Sequence, residues 1–161
     1  MINWQNIIEQ HGRTVWQAAY RLVNNHEDAS DCYQEAFVNA LDISKTQEIG
    51  NFRALLVKLV TARALDRLRR KKTHNNIIEK LKNGTPDRSK DSPSANLENF
   101  ELSQLMLEAI KKLKKKEAHI FCMRYLDDLS YSEIAETMNI KQSMVGVILH
   151  RTRSRLKKIL D

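Results

Sequence analysis

Three groups of polar side chains have spacings that suit chemistry with a charged partner. Asp28, Asp31 and Glu35 stand at i, i+3 and i+7, with Gln34 beside them. On a helix that spacing lines the carboxylates along one stripe. By spacing alone the stripe is a solvated acidic face. Arg63, Arg67 and Arg70 follow i, i+4 and i+7 in a basic block that also holds Arg69, Lys71 and Lys72. A cationic stripe meets a phosphate backbone well, and arginine also stacks on exposed bases. The third group lies near the C-terminal end, where Lys141, Gln142, Ser143, His150 and Arg151 surround an apolar helical series.

The elements that would position the third group are the most informative in the chain. Ser130 and Glu133 form a capping box, which starts a helix. Ile134, Ala135 and Met138 give that helix an apolar side, and Asn139 tolerates the left-handed conformation that closes it. A second apolar series follows, through Met144 or Val145, Ile148 or Leu149, Leu156, and Ile159 or Leu160. Two helices across a short turn have the layout of a helix-turn-helix, whose second helix can lie in the major groove of DNA. The alternative is an ordinary helical hairpin.

Composition supports an anionic partner. The formal net charge of +7 is concentrated in three blocks, at residues 63–72, 111–116 and 151–158. Such blocks make local fields that attract phosphates. Cys32 and Cys122 are far apart in helical patterns, which suggests packed thiols and no disulfide. His119 and Cys122 could share a helix face, but no second ligand pair completes a metal site. Neither a nucleotide loop nor a nucleophile elbow occurs, and the five histidines are scattered, so no catalytic residue, metal or cofactor is expected. Asp127 and Asp128 fit a turn and a helix start. Polar residues interrupt the first twenty positions, so no signal peptide is expected there. Nothing is long and apolar enough for a membrane span, and a cytoplasmic protein is expected.

With four glycines, two prolines and no alternating pattern, the chain should be all-α. Helices are expected over about residues 4–23, capped by Asn3, and about 27–41, with a polar loop at 42–50. The first should turn Ile8, Val15, Ala19, Leu22 and Val23 inward. A third helix is expected over about 52–70, and Ile77, Ile78 and Leu81 add at most one turn beyond it. The stretch 83–96 holds both prolines and many small polar residues, as linkers do. Helix should resume near residue 99, with Leu102, Leu105, Met106, Ala109 and Leu113 on one face, and again around 117–125. The expected organisation is therefore two small helical domains, 1–78 and 98–161, joined by a flexible linker at 79–97.

Three segments carry a family resemblance. Asp28-Ala29-Ser30-Asp31-Cys32-Tyr33-Gln34-Glu35-Ala36-Phe37 resembles the region-two signature of bacterial sigma factors. Ala62-Arg63-Ala64-Leu65-Asp66-Arg67-Leu68-Arg69-Arg70 resembles the end of the same domain, and residues 129–155 resemble region four. In that order and spacing, the chain resembles a sigma-70 superfamily member of the extracytoplasmic-function type (group four), which keeps only these two domains. The resemblance implies a protein that binds core RNA polymerase, directs it to promoter DNA and helps open the −10 region, with an anti-sigma factor as a further partner. It implies that Asp28, Asp31, Gln34 and Glu35 dock on the polymerase clamp. It places Arg63, Arg67, Arg69, Arg70 and Lys71 at the −10 element, where the loop 42–50 would capture a flipped-out base. It places Lys141, Gln142, Ser143, His150 and Arg151 at the −35 element.

One segment departs from the family pattern. Gly146, Val147 and Ile148 stand where the family carries hydroxyl and basic side chains. Each lost bidentate base contact removes roughly 1–3 kcal/mol of discrimination, so −35 reading should be weak, unusual, or made through phosphate and shape. Two rivals follow: a regulator using only its helix-turn-helix, and a sigma-like interaction module with degenerate −35 recognition. Geometry adds one expectation about the joint. Residues 74–97, as a coil, span roughly 27 Å and at full stretch about 80 Å. The two promoter elements lie roughly 70 Å apart. The linker must therefore be held stretched on polymerase, while in the free protein the domains collapse together or tumble separately.

Overall fold

The computed structural model describes the backbone of residues 1–82 and 102–161, and the side chains of 1–70 and 102–161. The described residues are all-helical, in seven helices with no strand. Three build the N-terminal part: α1 (Trp4–Val23), α2 (His26–Ser44) and α3 (Phe52–Lys82). Four build the C-terminal part: α4 (Gln104–Lys111), α5 (Lys115–Tyr125), α6 (Tyr131–Met138) and α7 (Gln142–Leu160).

The helix starts follow from side-chain caps. Asn3, Asn25 and Ser103 each accept from the backbone N–H three residues on, which satisfies one of the free donors at a helix N-terminus. Between α1 and α2, Asn24 takes the left-handed conformation at φ 47°. Tyr33 of α2 then approaches α1 so closely that a Cβ on Gly12 would stand 2.8 Å from its hydroxyl. A larger residue at 12 would force the Tyr33 hydroxyl to move aside.

Helix lengths and registers differ from expectation in four places. α2 runs on to Ser44, whose hydroxyl donates to the Leu41 carbonyl, so the loop starts at residue 45 rather than 42. α3 continues past residue 70 to Lys82, entering the stretch 79–97 assigned to the linker. The reason is local: no glycine or proline occurs between Gly50 and Gly84. The remainder of that linker lies outside the described residues. In α1, Ile7 rather than Ile8 turns inward, and Ile8 is 45% exposed. Adjacent isoleucines differ by one helical step, and sequence pattern does not choose between them. In α4, Leu105 is 68% exposed, whereas Leu107 and Ile110 are buried. That helix closes at Lys111, so Leu113 reaches the core from the turn, not from the face on which Leu105 was expected.

The two parts pack against each other. Ala54 and Val57 of α3 share one apolar cluster with Ile120 and Met123 of α5, Leu129, Ile134 of α6, and Val145 and Leu149 of α7. A second cluster joins α1, α2 and α3 to Leu107, Ile110, Leu113 and Phe121. Of the two arrangements expected for the free chain, the structure adopts the collapsed one.

Candidate polymerase and promoter interfaces

The acidic and basic stripes meet. Arg67 on α3 lies across α2, with Nη1 3.0 Å from Asp28 Oδ1, and Nη2 3.6 Å from Asp31 Oδ2 and 3.7 Å from Glu35 Oε1. Arg63 Nε lies 3.3 Å from Glu35 Oε2. The Asp28 side chain is 26% exposed and that of Asp31 56%, so the pairs sit at the surface and the stripe still faces solvent. Gln34 is exposed and donates to Ser30 Oγ at 3.4 Å. The sequence reading treats the two stripes as independent; packing of α2 on α3 makes them one mixed surface. Beneath it Cys32 is fully buried, and burial pushes its thiol up to about 11. Cys122 is also fully buried, its thiol raised well above the ordinary range by burial.

The other basic residues divide. Arg69 donates from Nη2 to the Leu113 carbonyl at 3.1 Å, which spends it on contact with the C-terminal part. Arg70 is exposed. The side chain of Lys71 lies outside the described residues.

The loop before α3, at residues 45–51, is bound to the helix-turn-helix. Asn51 caps α3 by accepting from the Ala54 N–H at 3.0 Å, and its amide donates to Glu133 Oε2 at 2.9 Å. Glu133 Oε1 meanwhile accepts from the Ser130 N–H at 3.0 Å in the expected capping box. Those hydrogen bonds, chiefly the one from the Ser130 backbone, hold the Glu133 carboxyl below its ordinary value. A cleft between the loop and α6 is lined by Gln47, Glu48, Asn51, Lys58, Glu136 and Thr137.

A hub that sequence reading missed lies one turn earlier. Asp127 was expected merely to fill a turn before the capping box. Its side chain is 3% exposed and lies 3.3 Å from Arg21 Nη1 of α1. Thr61 of α3 donates to its Oδ2 at 3.2 Å, and Arg53 donates to its carbonyl at 2.8 Å. Arg21 also donates to the Leu126 carbonyl. Burial raises the Asp127 carboxyl to about 7, against the pull of Arg21, the Thr61 hydroxyl and Arg53. Asp128, at φ 61°, makes the turn. His119 Nε2 faces the Lys58 carbonyl at 3.0 Å, which engages the side chain weighed as a metal ligand. Among the described residues no group of three or more His, Cys, Asp or Glu side chains is placed to hold a metal ion.

The helix-turn-helix forms as its caps dictate. Asn139 closes α6 at φ 56°, and Lys141 occupies the N-cap position of α7. Val145, Ile148, Leu149 and Thr152 are buried, while Ser143, Gly146, Val147, His150, Arg151 and Ser154 line an open groove on the opposite face. Lys141, Gln142, Ser143, His150 and Arg151 are all exposed. Ile148 belongs to the core, so its apolar character is structural rather than a lost base contact.

The family model for Sigma-70 region 2 matches residues 7–74, and that for Sigma-70 region 4 matches residues 103–156. The chain belongs to the sigma-70 family. It is a sigma factor of the extracytoplasmic-function type, a class of DNA-binding proteins that direct core RNA polymerase in transcription initiation. The ECF RNA polymerase sigma factor SigW of Bacillus subtilis (strain 168) is 29% identical, covering 96% of this chain and 87% of that relative. SigE of Mycolicibacterium smegmatis is 26% identical over 99% of this chain and 62% of its own greater length. Two solved structures share the fold. The Bartonella quintana sigma factor RpoE, in complex with the anti-sigma factor NepR, superposes with a TM-score of 0.61 at 16% identity, over 98% of this chain and 96% of that one. CnrH, in complex with the cytosolic domain of CnrY, gives 0.64 at 18% identity, over 98% and 86%. The family is not an enzyme family. Among the described residues no helix is long and apolar enough to cross a membrane.

Proposed function

We propose that this sigma factor docks on core polymerase through the exposed edge of α2, at Asp31, Gln34 and Glu35 with Asp28 behind them. The observation that carries this is the mixed stripe itself. Arg67 and Arg63 hold the carboxylates in a fixed row while leaving Asp31 and Glu35 about half exposed. A fixed row of charge loses less side-chain entropy on binding than a free one. Promoter contact near −10 then falls to Arg70 and Lys71 at the C-terminal end of the basic block, with Arg63 serving both surfaces, Arg67 kept mainly on its three carboxylates and Arg69 released when the domains part. The −35 element is met by α7 through Lys141, Gln142, Ser143, His150 and Arg151. Domains 1–78 and 98–161, with the joint at 79–97, separate on polymerase. The protein works in the cytoplasm, where its polymerase is, and has no catalytic activity of its own: the polymerase does the chemistry. An anti-sigma factor that stabilises the collapsed arrangement is a further partner. A regulator that used α6 and α7 alone would leave the region 2 match over residues 7–74 without a purpose. The test is reconstitution: purified protein, core polymerase and the promoter of its own operon, read by run-off transcription.

A further inference from the structure

We propose that Val147, standing beside the bare backbone of Gly146, reads a thymine methyl group in the −35 element; this rests on the sigma-factor reading of α7. The open face of α7 has an unusual centre. Ser143, Gly146, Val147, His150, Arg151 and Ser154 line a groove of about 630 Å³ along that helix. Val147 is 48% exposed and Met144, one turn before Val147, is 46% exposed. Both belong to the N-terminal half of the helix, the half that reaches base edges in helix-turn-helix proteins.

The interior does not require these residues. A Cβ on Gly146 would meet nothing nearer than the Tyr131 ring at 3.7 Å, an ordinary contact, and its φ is not positive. Glycine inside a helix weakens it, so its use on an open face points outward: it lets the backbone approach a ligand closely. Valine neither donates nor accepts a hydrogen bond. In the major groove the base-edge feature that an apolar side chain can recognise is the C5 methyl of thymine. The half-exposed Val147 side chain stands next to Gly146, which carries no side chain, in that groove.

The surrounding charge selects duplex DNA over an apolar peptide as the occupant. α7 carries Arg151, Arg153, Arg155, Lys157 and Lys158 and no acidic residue. Lys141 stands at its N-cap and Arg151 one turn beyond Val147, so cations bracket the apolar centre as phosphates bracket a base edge.

The experiment uses the full chain assembled with core polymerase, presented with promoter duplexes randomised over the −35 region. A thymine is expected at one fixed position of the selected sites. Replacing it with deoxyuridine removes only the methyl and should weaken binding about fourfold, the ratio that ~0.8 kcal/mol for one buried methyl gives. In Val147→Ser the thymine and deoxyuridine duplexes should bind equally. Selected sites without a fixed thymine, or a thymine preference that survives Val147→Ser, would overturn the proposal while leaving the sigma reading intact. Failure of the chain to associate with core polymerase at all would remove both.

Discussion

The side-chain amide of Asn51 donates to Glu133 at 2.9 Å, and each of these residues caps a different helix: Asn51 starts α3 and Glu133 completes the capping box of α6. The start of the helix-turn-helix is thereby tied to the loop that would trap a promoter base. Opening must break this contact and uncover Ala54 and Val57, which are at most 1% exposed. A fluorophore pair, one on α2 and one on α7, should report a large increase in separation when core polymerase is added. An unchanged separation would mean that the domains do not part as proposed.

The pH dependence of the packing should come from both sides of neutrality. Asp127, facing Arg21 on α1 and Arg53 and Thr61 on α3, titrates at about 7 in the fold against an ordinary 3.8. A raised carboxyl stabilises the fold fully below the lower value, and that contribution is lost as pH rises through the upper one. His119 and His11 are held below their ordinary 6.5, chiefly by burial, so their contributions are present above 6.5 and lost as pH falls. At pH 6.5 an unfolded histidine is still half protonated, so these two contributions go on rising to about pH 7.5 while that of Asp127 falls. Thermal stability measured from pH 6.5 to 8 should therefore drop in the natural chain relative to Asp127→Asn, in which only the rising contributions remain. An identical slope in both proteins would remove Asp127 from this role.

Reversing Asp31 and Glu35 to Lys should abolish co-purification with core polymerase. The ion pairs they lose to Arg63 and Arg67 are surface pairs, worth roughly 0.2–1 kcal/mol each. Helix content by circular dichroism should therefore be retained, with the melting temperature a few degrees lower. Undiminished binding by the double variant would contradict docking through α2.

The basic block should show a division of labour. Arg70→Ala should lower the log–log salt slope of promoter binding by about 0.9 on duplex or about 0.7 on single strand. Arg67→Ala should mainly reduce stability, because three carboxylates already hold that side chain. Titrations of each variant with labelled promoter DNA at several salt concentrations separate the two effects. Equal slope losses would mean that Arg67 leaves its carboxylates for phosphate.

What was legible in the sequence was local. Ser130 with Glu133, Asn139 and Asn3 announce helix ends because capping is decided within four residues. The order of acidic, basic and helix-turn-helix segments was enough for the family. Contacts across the fold were not legible. Nothing near Asp127 in the chain announces Arg21 or Thr61, so a buried hub passed for a turn residue. Likewise Asp28 and Arg67 each show helical spacing, but only the packing of α2 on α3 brings them to 3.0 Å. Val147 and Ile148 are alike in sequence; a single helical step, about 100° around the axis, separates a groove residue from a core residue. α3 outruns its expected end because polar composition after residue 70 does not stop a helix, and the helix-breaking residues come only at Gly84 and Pro86.

The central claim is that this chain gives core polymerase a promoter. The most direct measurement is run-off transcription from the promoter of its own operon, with core polymerase alone, with the protein added, and with the Asp31→Lys, Glu35→Lys variant added. A single run-off product that requires the unaltered protein and is lost with the variant is the expected result. Polymerase binding without a promoter-dependent product would leave a sigma-like interaction module, and DNA binding without polymerase binding would leave a helix-turn-helix regulator; either result would contradict the account.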